Sequence, residues 1–291
     1  MAESMWFEPP TALEYFASLV AEDASLPVLE AAASLAQDAY AVFDPQSVPA
    51  QVDALAATLR RRLPPDAAPV QRLRVLNRYF FGELGFQGNV NDFHDPRNSY
   101  LCDVLERRLG IPITLALIYV ELATQAGLVA EGVSFPDHFL VCLRLPQGEA
   151  VIDPFSGRSL SQPELEERLQ PWAIAQTGRA AAGQALARWL RPATPRQIVA
   201  RMLRNLARIH QTRGDDRALL AVRERMVALL PDDGVQRRDR GLARGRLGQL
   251  ALACDDLADY LARHADAPDA RAMAAQWRAW GGADDGPRCA S

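Results

Sequence analysis

The run from 111 to 127, I-P-I-T-L-A-L-I-Y-V-E-L-A-T-Q-A-G, constrains this chain more than any other segment. Wound as a helix it is apolar on almost every side, and such a helix has to be enclosed by other elements. Pro112 suits the first helical position, because its ring presets φ and its missing N–H would have had no partner there. Gly127 supplies the stop. Immediately afterwards the period changes to two. Residues 129–134 and 139–145 are short apolar runs rich in β-branched residues, and Pro146-Gln147-Gly148 turns the chain into Ala150-Val151-Ile152-Asp153. The expectation is antiparallel strands packed on a buried helix.

Helices surround this centre. Apolar residues recur at helical spacing in Leu13, Phe16, Ala17, Val20 and again in Val28, Leu29, Ala32, Leu35, Ala36. Val52, Leu55, Ala56, Leu59 form a third run that Pro64-Pro65 ends, and Val70, Leu73, Leu76, Phe80 a fourth that ends before Gly82. Residues 85–98 are dense in Gly, Asn and Asp and read as a loop. Asp95-Pro96 reads as N-cap and first helical residue of the next helix, with Gly110 as its C-cap. Residues 163–169 suggest a short helix and 176–184 a linker. From Pro195 helices return, and Gly214 and Gly248 stand 34 residues apart, the period of a tetratricopeptide repeat. Pro231 fits the end of the first unit, whereas the second has Ala265 in that place and Pro268 slightly later.

The fold expected is α+β and mostly helical: an N-terminal helical region (1–84) packed on the core, a core with a small antiparallel sheet (85–183), helical repeats (193–280) and a flexible tail (281–291). Two repeats are fewer than the roughly three that a free solenoid requires, so the repeats are expected to lean on the core.

Composition narrows the chemistry. All 32 cationic residues are arginines, which excludes a P-loop lysine, a Schiff base and a lysine general base. Residues 184–291 carry 19 Arg against 13 acidic residues, while the rest carries 13 against 23. That asymmetry falls short of the strongly basic footprint of a nucleic-acid binder. The first residues have neither a basic nor an apolar region of a signal peptide, and no apolar run is long enough for a membrane span. Cysteines at 102, 142, 254 and 289 show no paired spacing, which suits a reducing compartment, so a cytoplasmic protein is expected.

The strings R-R-L-G-I-P-I-T, H-F-L-V, I-D-P-F, A-R-M-L-R-N-L and R-D-R-G-L occur in that order. On them the chain resembles the SirB-type bacterial proteins, which join a transglutaminase-like (papain-like) core to a tetratricopeptide tail. The resemblance runs from the first helices to about Pro268. It implies the machinery of the wider superfamily: a cysteine at the N-terminus of a buried helix, a histidine base on a nearby strand and an aspartate that fixes its tautomer. His138 and Asp153 match the last two by order and spacing, with Asp153 expected to take the Nδ1 proton. Fifteen residues before Gly127, where the cysteine belongs, stands Pro112.

Asn98, Pro112 and Thr114 are the expected cleft residues, and Cys102, ten residues earlier, is a candidate relocated nucleophile. Each has a plainer reading. The His-Asp pair also serves as a buried polar pair that fixes strand register. Cys102 and Cys142 also serve as small apolar fillers, and Thr114 as a local hydrogen-bonding residue. Asp92, His94 and Asp95 suit turn chemistry better than a metal, and Arg201, Arg204 and Arg208 read as a solvated stripe. No metal or cofactor is expected. The leading expectation is a catalytically inactive scaffold or regulatory protein that binds a protein or peptide partner. The alternatives are a hydrolase or acyl transferase using His138 and Asp153 with a non-standard nucleophile, and an adaptor in which the tail alone matters.

Overall fold

The computed structural model describes residues 9–177 and 184–282. Along the chain come α1 (Ala12–Leu19), α2 (Val28–Ser34), α3 (Ser47–Arg60), α4 (Pro69–Asn77), β1 (Gln87–Gly88), α5 (Leu101–Arg107), β2 (Leu109–Gly110) and α6 (Pro112–Gln125). Four strands follow: β3 (Val129–Phe135), β4 (His138–Leu145), β5 (Gly148–Asp153) and β6 (Arg158–Leu160). The rest is helical: α7 (Gln162–Thr177), α8 (Gln184–Trp189), α9 (Pro195–Arg213), α10 (Asp216–Leu229), α11 (Gly234–Arg246), α12 (Leu250–Arg263) and α13 (Ala270–Ala279). The protein is α+β and mostly helical, as the periodicities predict. The chain divides into two units, Glu22–Met202 and the residues up to Ala21 with those from Leu203 onward.

In the first unit α6 is the central helix. Pro112 opens it, and ten of its fourteen residues are buried. At its far end Gly127 takes φ +76°, and Arg72 Nη1 donates to the Ala126 carbonyl at 2.8 Å. A cation at a helix C-terminus satisfies an orphan acceptor and suits the dipole. The sheet order is β3-β4-β5-β6, antiparallel throughout, with Val133 opposite Leu140 and Val141 opposite Ile152. Alternation gives the sheet two buried faces. Val133, Phe135, Leu140, Cys142 and Val151 pack with Leu165 and Leu169 of α7 and Leu186 of α8. Phe139, Val141, Leu143 and Ile152 are buried on the other face.

Several boundaries differ from the sequence reading. Asp95-Pro96 opens only a 3₁₀ turn, and the α-helix after it begins at Leu101. Its C-cap is Arg108 in the left-handed region at φ 61°, not Gly110, which pairs with Gly88 in β2. The fourth N-terminal run does not stop before Gly82: α4 ends at Asn77 and a π turn continues from Arg78 to Glu83. The helix expected over 163–169 is α7, which runs on through Pro171. Most of the expected linker 176–184 and of the tail 281–291 lies outside the described residues.

In the second unit both repeat glycines are left-handed, Gly214 at φ 68° and Gly248 at φ 75°. One turns α9 into α10 and the other α11 into α12, so the 34-residue period is a period of helical hairpins. Thr11 and Glu14 form a capping box at the start of α1. Phe16 of α1 lies under the buried Arg225 of α10, whose guanidinium stands 5.0 Å from the ring centroid. The arginines of α11 meet acids on both neighbours. Asp256 accepts from Arg240 at 2.6 and 2.9 Å and from Arg244 at 2.9 Å. Among the described residues no helix is long and apolar enough to cross a membrane.

Candidate functional site

His138 is the first residue of β4 and Asp153 the last of β5, so the hairpin carries both side chains to the same end of the sheet. His138 Nε2 lies 2.7 Å from Asp153 Oδ1. The pairing is therefore through Nε2, not through the Nδ1 expected from the sequence. Nε2 is the ring nitrogen farther from the main chain, and it spans the gap to the neighbouring strand. Asp153 is almost fully buried. Burial by itself would raise its carboxyl, but His138, Ser156 and the Phe155 N–H hold it down at about 2. Phe155 and Ser156 donate their N–H groups to Oδ1 at 3.0 and 3.4 Å. On the other oxygen, Arg168 Nη1 of α7 stands 3.5 Å away.

His138 opens on a groove of about 560 Å³. One wall is the β3–β4 turn with Phe135, Pro136 and Asp137, and the other is α7 with Arg168, Pro171 and Trp172. Asp137 takes the left-handed φ of 49° that a two-residue turn needs, a conformation Asp tolerates better than most. Arg168 and Trp172 are one helical turn apart and so share a face of α7, while Leu165 and Leu169 face the sheet. Sequence reading missed this second wall. The available signal was the R-x-x-P-W string from 168 to 172, but its meaning depends on a helix folding back over the sheet.

The remaining expected residues lie elsewhere. Thr114 is buried, accepts the Ile111 N–H at 3.2 Å and donates to the Asn98 carbonyl at 2.8 Å. Asn98 is fully buried, donates to the Asp92 carbonyl at 2.7 Å and accepts from Asn89 at 3.1 Å. Pro112 is buried at the first turn of α6. None of the three lines the groove. The contacts that connect His138 to the start of α6 run through Phe155, whose ring centroid is 6.3 Å from the imidazole and whose carbonyl accepts the Gly88 N–H at 3.0 Å. Gly88 in turn pairs with Gly110.

Cys102 sits on α5 in acidic company. Burial, then the carboxylates of Asp103 and Glu106, push its thiol up to about 11, the direction opposite to that of a nucleophile. Cys142 is buried in the sheet core and is likewise pushed up to about 11 by burial. Asp95 caps the 3₁₀ turn, accepting the Arg97 N–H at 3.0 Å, and pairs with Arg97 and Arg107 at 2.9 and 3.3 Å. In the arginine stripe Arg204 and Arg208 are exposed, whereas Arg201 is not merely solvated. It donates to Ser134 Oγ at 2.7 Å and to the Phe135 carbonyl at 3.1 Å, which closes part of the β3 edge.

Comparison with known proteins agrees with this architecture. A model of the transglutaminase-like superfamily matches residues 46–204, and a tetratricopeptide-repeat model matches 206–278. A UPF0162 protein of Xylella fastidiosa is 40% identical over 82% of this chain and 85% of its own length. A UPF0162 protein of Pseudomonas aeruginosa is 32% identical over 70% of this chain and 72% of its own. Human F-box only protein 21 is 31% identical over 56% of this chain but only 26% of its own length. No solved structure matches the chain. A superfamily model spanning more than half of the residues, together with relatives that align over most of both chains, makes this protein a member of the transglutaminase-like superfamily and, within it, of the UPF0162 family.

Proposed function

We propose that the protein is a catalytically inactive transglutaminase-like module that binds a protein or peptide segment in the groove beside His138. The observation that carries this reading is the pairing of an intact His138–Asp153 site with proline at the start of α6. A thiol acyl-transfer enzyme needs its sulfur at that helix start and within hydrogen-bond reach of the base. Proline offers no nucleophile, and Cys102 is held away from its thiolate form. The groove, by contrast, has an apolar lining with a few polar groups, the usual build of a ligand site. Helical repeats in the same chain suit a scaffold or regulatory role, as does the finer likeness to SirB-type proteins. Unpaired Cys102, Cys142 and Cys254 suit a reducing compartment, and we place the protein in the cytoplasm on that ground.

A second reading, a hydrolase with a non-standard nucleophile, is favoured by one observation. With Nε2 engaged by Asp153, the other ring nitrogen of His138 is the basic one, as in a general base. Two measurements separate the readings. Amide hydrolysis, ester hydrolysis and amine incorporation are assayed before and after alkylation, and no thiol-dependent turnover is expected. An immobilised array of short peptides is probed with the wild type and with Trp172→Glu, and groove-dependent retention is expected in the wild type alone. Turnover abolished by Cys102→Ser, or by His138→Ala with the fold intact, replaces the scaffold with an enzyme.

A further inference from the structure

The groove's two walls differ in kind, and the difference points to one ligand chemistry. On α7, Arg168 has its side chain 39% exposed, and its charged partner among the described residues is Asp153 at 3.5 Å. That distance is long for a charge-assisted hydrogen bond, and the contact is made by Nη1 alone to Oδ2, while the three hydrogen bonds to Asp153 all fall on its other oxygen. Most of the guanidinium fork is therefore available to a second, planar anion. One turn further along α7, Trp172 is also 39% exposed, a large apolar ring left open to solvent beside Pro171. Phe135 and Pro136 line the facing wall.

From these features we propose that the groove recognises the C-terminal end of a peptide chain whose last residue is apolar. The terminal carboxylate takes the free edge of the Arg168 guanidinium, and the last side chain lies against Trp172, Pro171 and Pro136. Residues four apart on a helix have Cβ atoms about 5–6 Å apart. That places a cation and an aromatic ring on one helix face, and a single apolar C-terminal residue carries a carboxylate and an apolar side chain on one Cα. An internal acidic segment needs two residues in a fixed relative arrangement to do the same. The size agrees, since about 560 Å³ lies in the range of small-ligand pockets and admits the end of a chain more readily than a long stretch. Asp137, exposed on the facing wall, is an acceptor for an amide N–H of the entering chain and repels a second carboxylate there.

This inference rests on the peptide-binding reading and specifies its ligand. The test is calorimetric titration of the full-length protein with three probes: N-acetyl-Gly-Gly-Phe with a free carboxylate, the same peptide as its C-terminal amide, and N-acetyl-Gly-Asp-Phe-Gly-amide. The free acid is expected to bind at least tenfold more tightly than either of the others. Arg168→Gln is expected to remove that preference, and Trp172→Ala to weaken all three peptides. Should Arg168→Gln lower the melting midpoint, Arg168→Lys keeps the charge but loses the fork, and a severalfold loss confined to the free acid is then expected. Equal affinity for acid and amide overturns the proposal, as does equal affinity for the internal Asp peptide or no binding by the free acid. Acid–amide equality with groove-dependent binding leaves the peptide-binding reading standing. Thiol-dependent turnover sinks that reading by itself.

Discussion

Asp153 shows how a single residue serves structure and site together. Its carboxyl is held at about 2, below the ordinary value of 3.8, although burial alone would raise it. A group whose folded value is depressed stabilises the fold above its unfolded value, and that contribution fades as pH falls through the folded one. The window here runs from about pH 4 down to about 2. Asp153→Ala leaves the imidazole without its acceptor and is expected to cost about 1–3 kcal/mol at pH 7. It should also flatten the acid limb of a plot of denaturation midpoint against pH. An unchanged acid limb refutes the coupling. Cys102 gives the complementary prediction. A thiol at about 11 is almost wholly protonated at pH 8, so iodoacetamide should modify Cys102 roughly a hundredfold more slowly than a free cysteine. Peptide mapping by mass spectrometry measures that rate, and fast labelling contradicts the environment described.

At the scale of elements, glycines fix where backbones meet side chains. A Cβ at Gly88 would stand 2.3 Å from the Phe155 ring, the ring that separates His138 from β1. Gly88→Ala is therefore expected to displace Phe155, cost about 1–3 kcal/mol as overpacking does, and shift the His138 imidazole resonances. Unshifted resonances would show that Phe155 does not position the histidine. Gly214 and Gly248 act through conformation instead, since nothing lies within 4 Å of a Cβ at either position. Alanine at either should cost about 1–2 kcal/mol, the left-handed penalty of an ordinary residue.

For the molecule as a whole, the two units are held together internally by different forces. The Glu22–Met202 unit rests on the apolar faces of α6 and the sheet. The unit from Leu203 onward adds partly buried ion pairs, of which the arginines around Asp256 are the clearest. Removing the buried carboxylate leaves two partly buried guanidinium groups without their acceptor, so Asp256→Ala should destabilise by about 1–3 kcal/mol. Hydrogen exchange is expected to show that loss in α10, α11 and α12, with the amides of β3, β4 and β5 unchanged. Equal loss of protection in both places contradicts two separately cooperative units.

What could be read in the sequence is what local periodicity and stereochemistry govern. The helix from Pro112, the strands after Gly127 and the 34-residue glycine spacing each follow from side-chain period, a fixed φ or a freedom only glycine has. The order of His138 and Asp153 along a hairpin belongs with them, because a tight turn makes neighbours of residues close in sequence. Tertiary structure decided the rest. β6 is three residues long and each strand of the β1–β2 pair two, too short to show a period, and the partner of β1 lies 22 positions along the chain. The passage of α7 through Pro171 contradicts local propensity, and the burial of Leu165 and Leu169 against the sheet holds it in place. That same packing brings Arg168 to Asp153 and Trp172 to the groove. Tertiary packing also turned Thr114 inward, because its hydroxyl found the Asn98 carbonyl 16 positions back, while Asn98 is buried on the Asp92 carbonyl within its own loop.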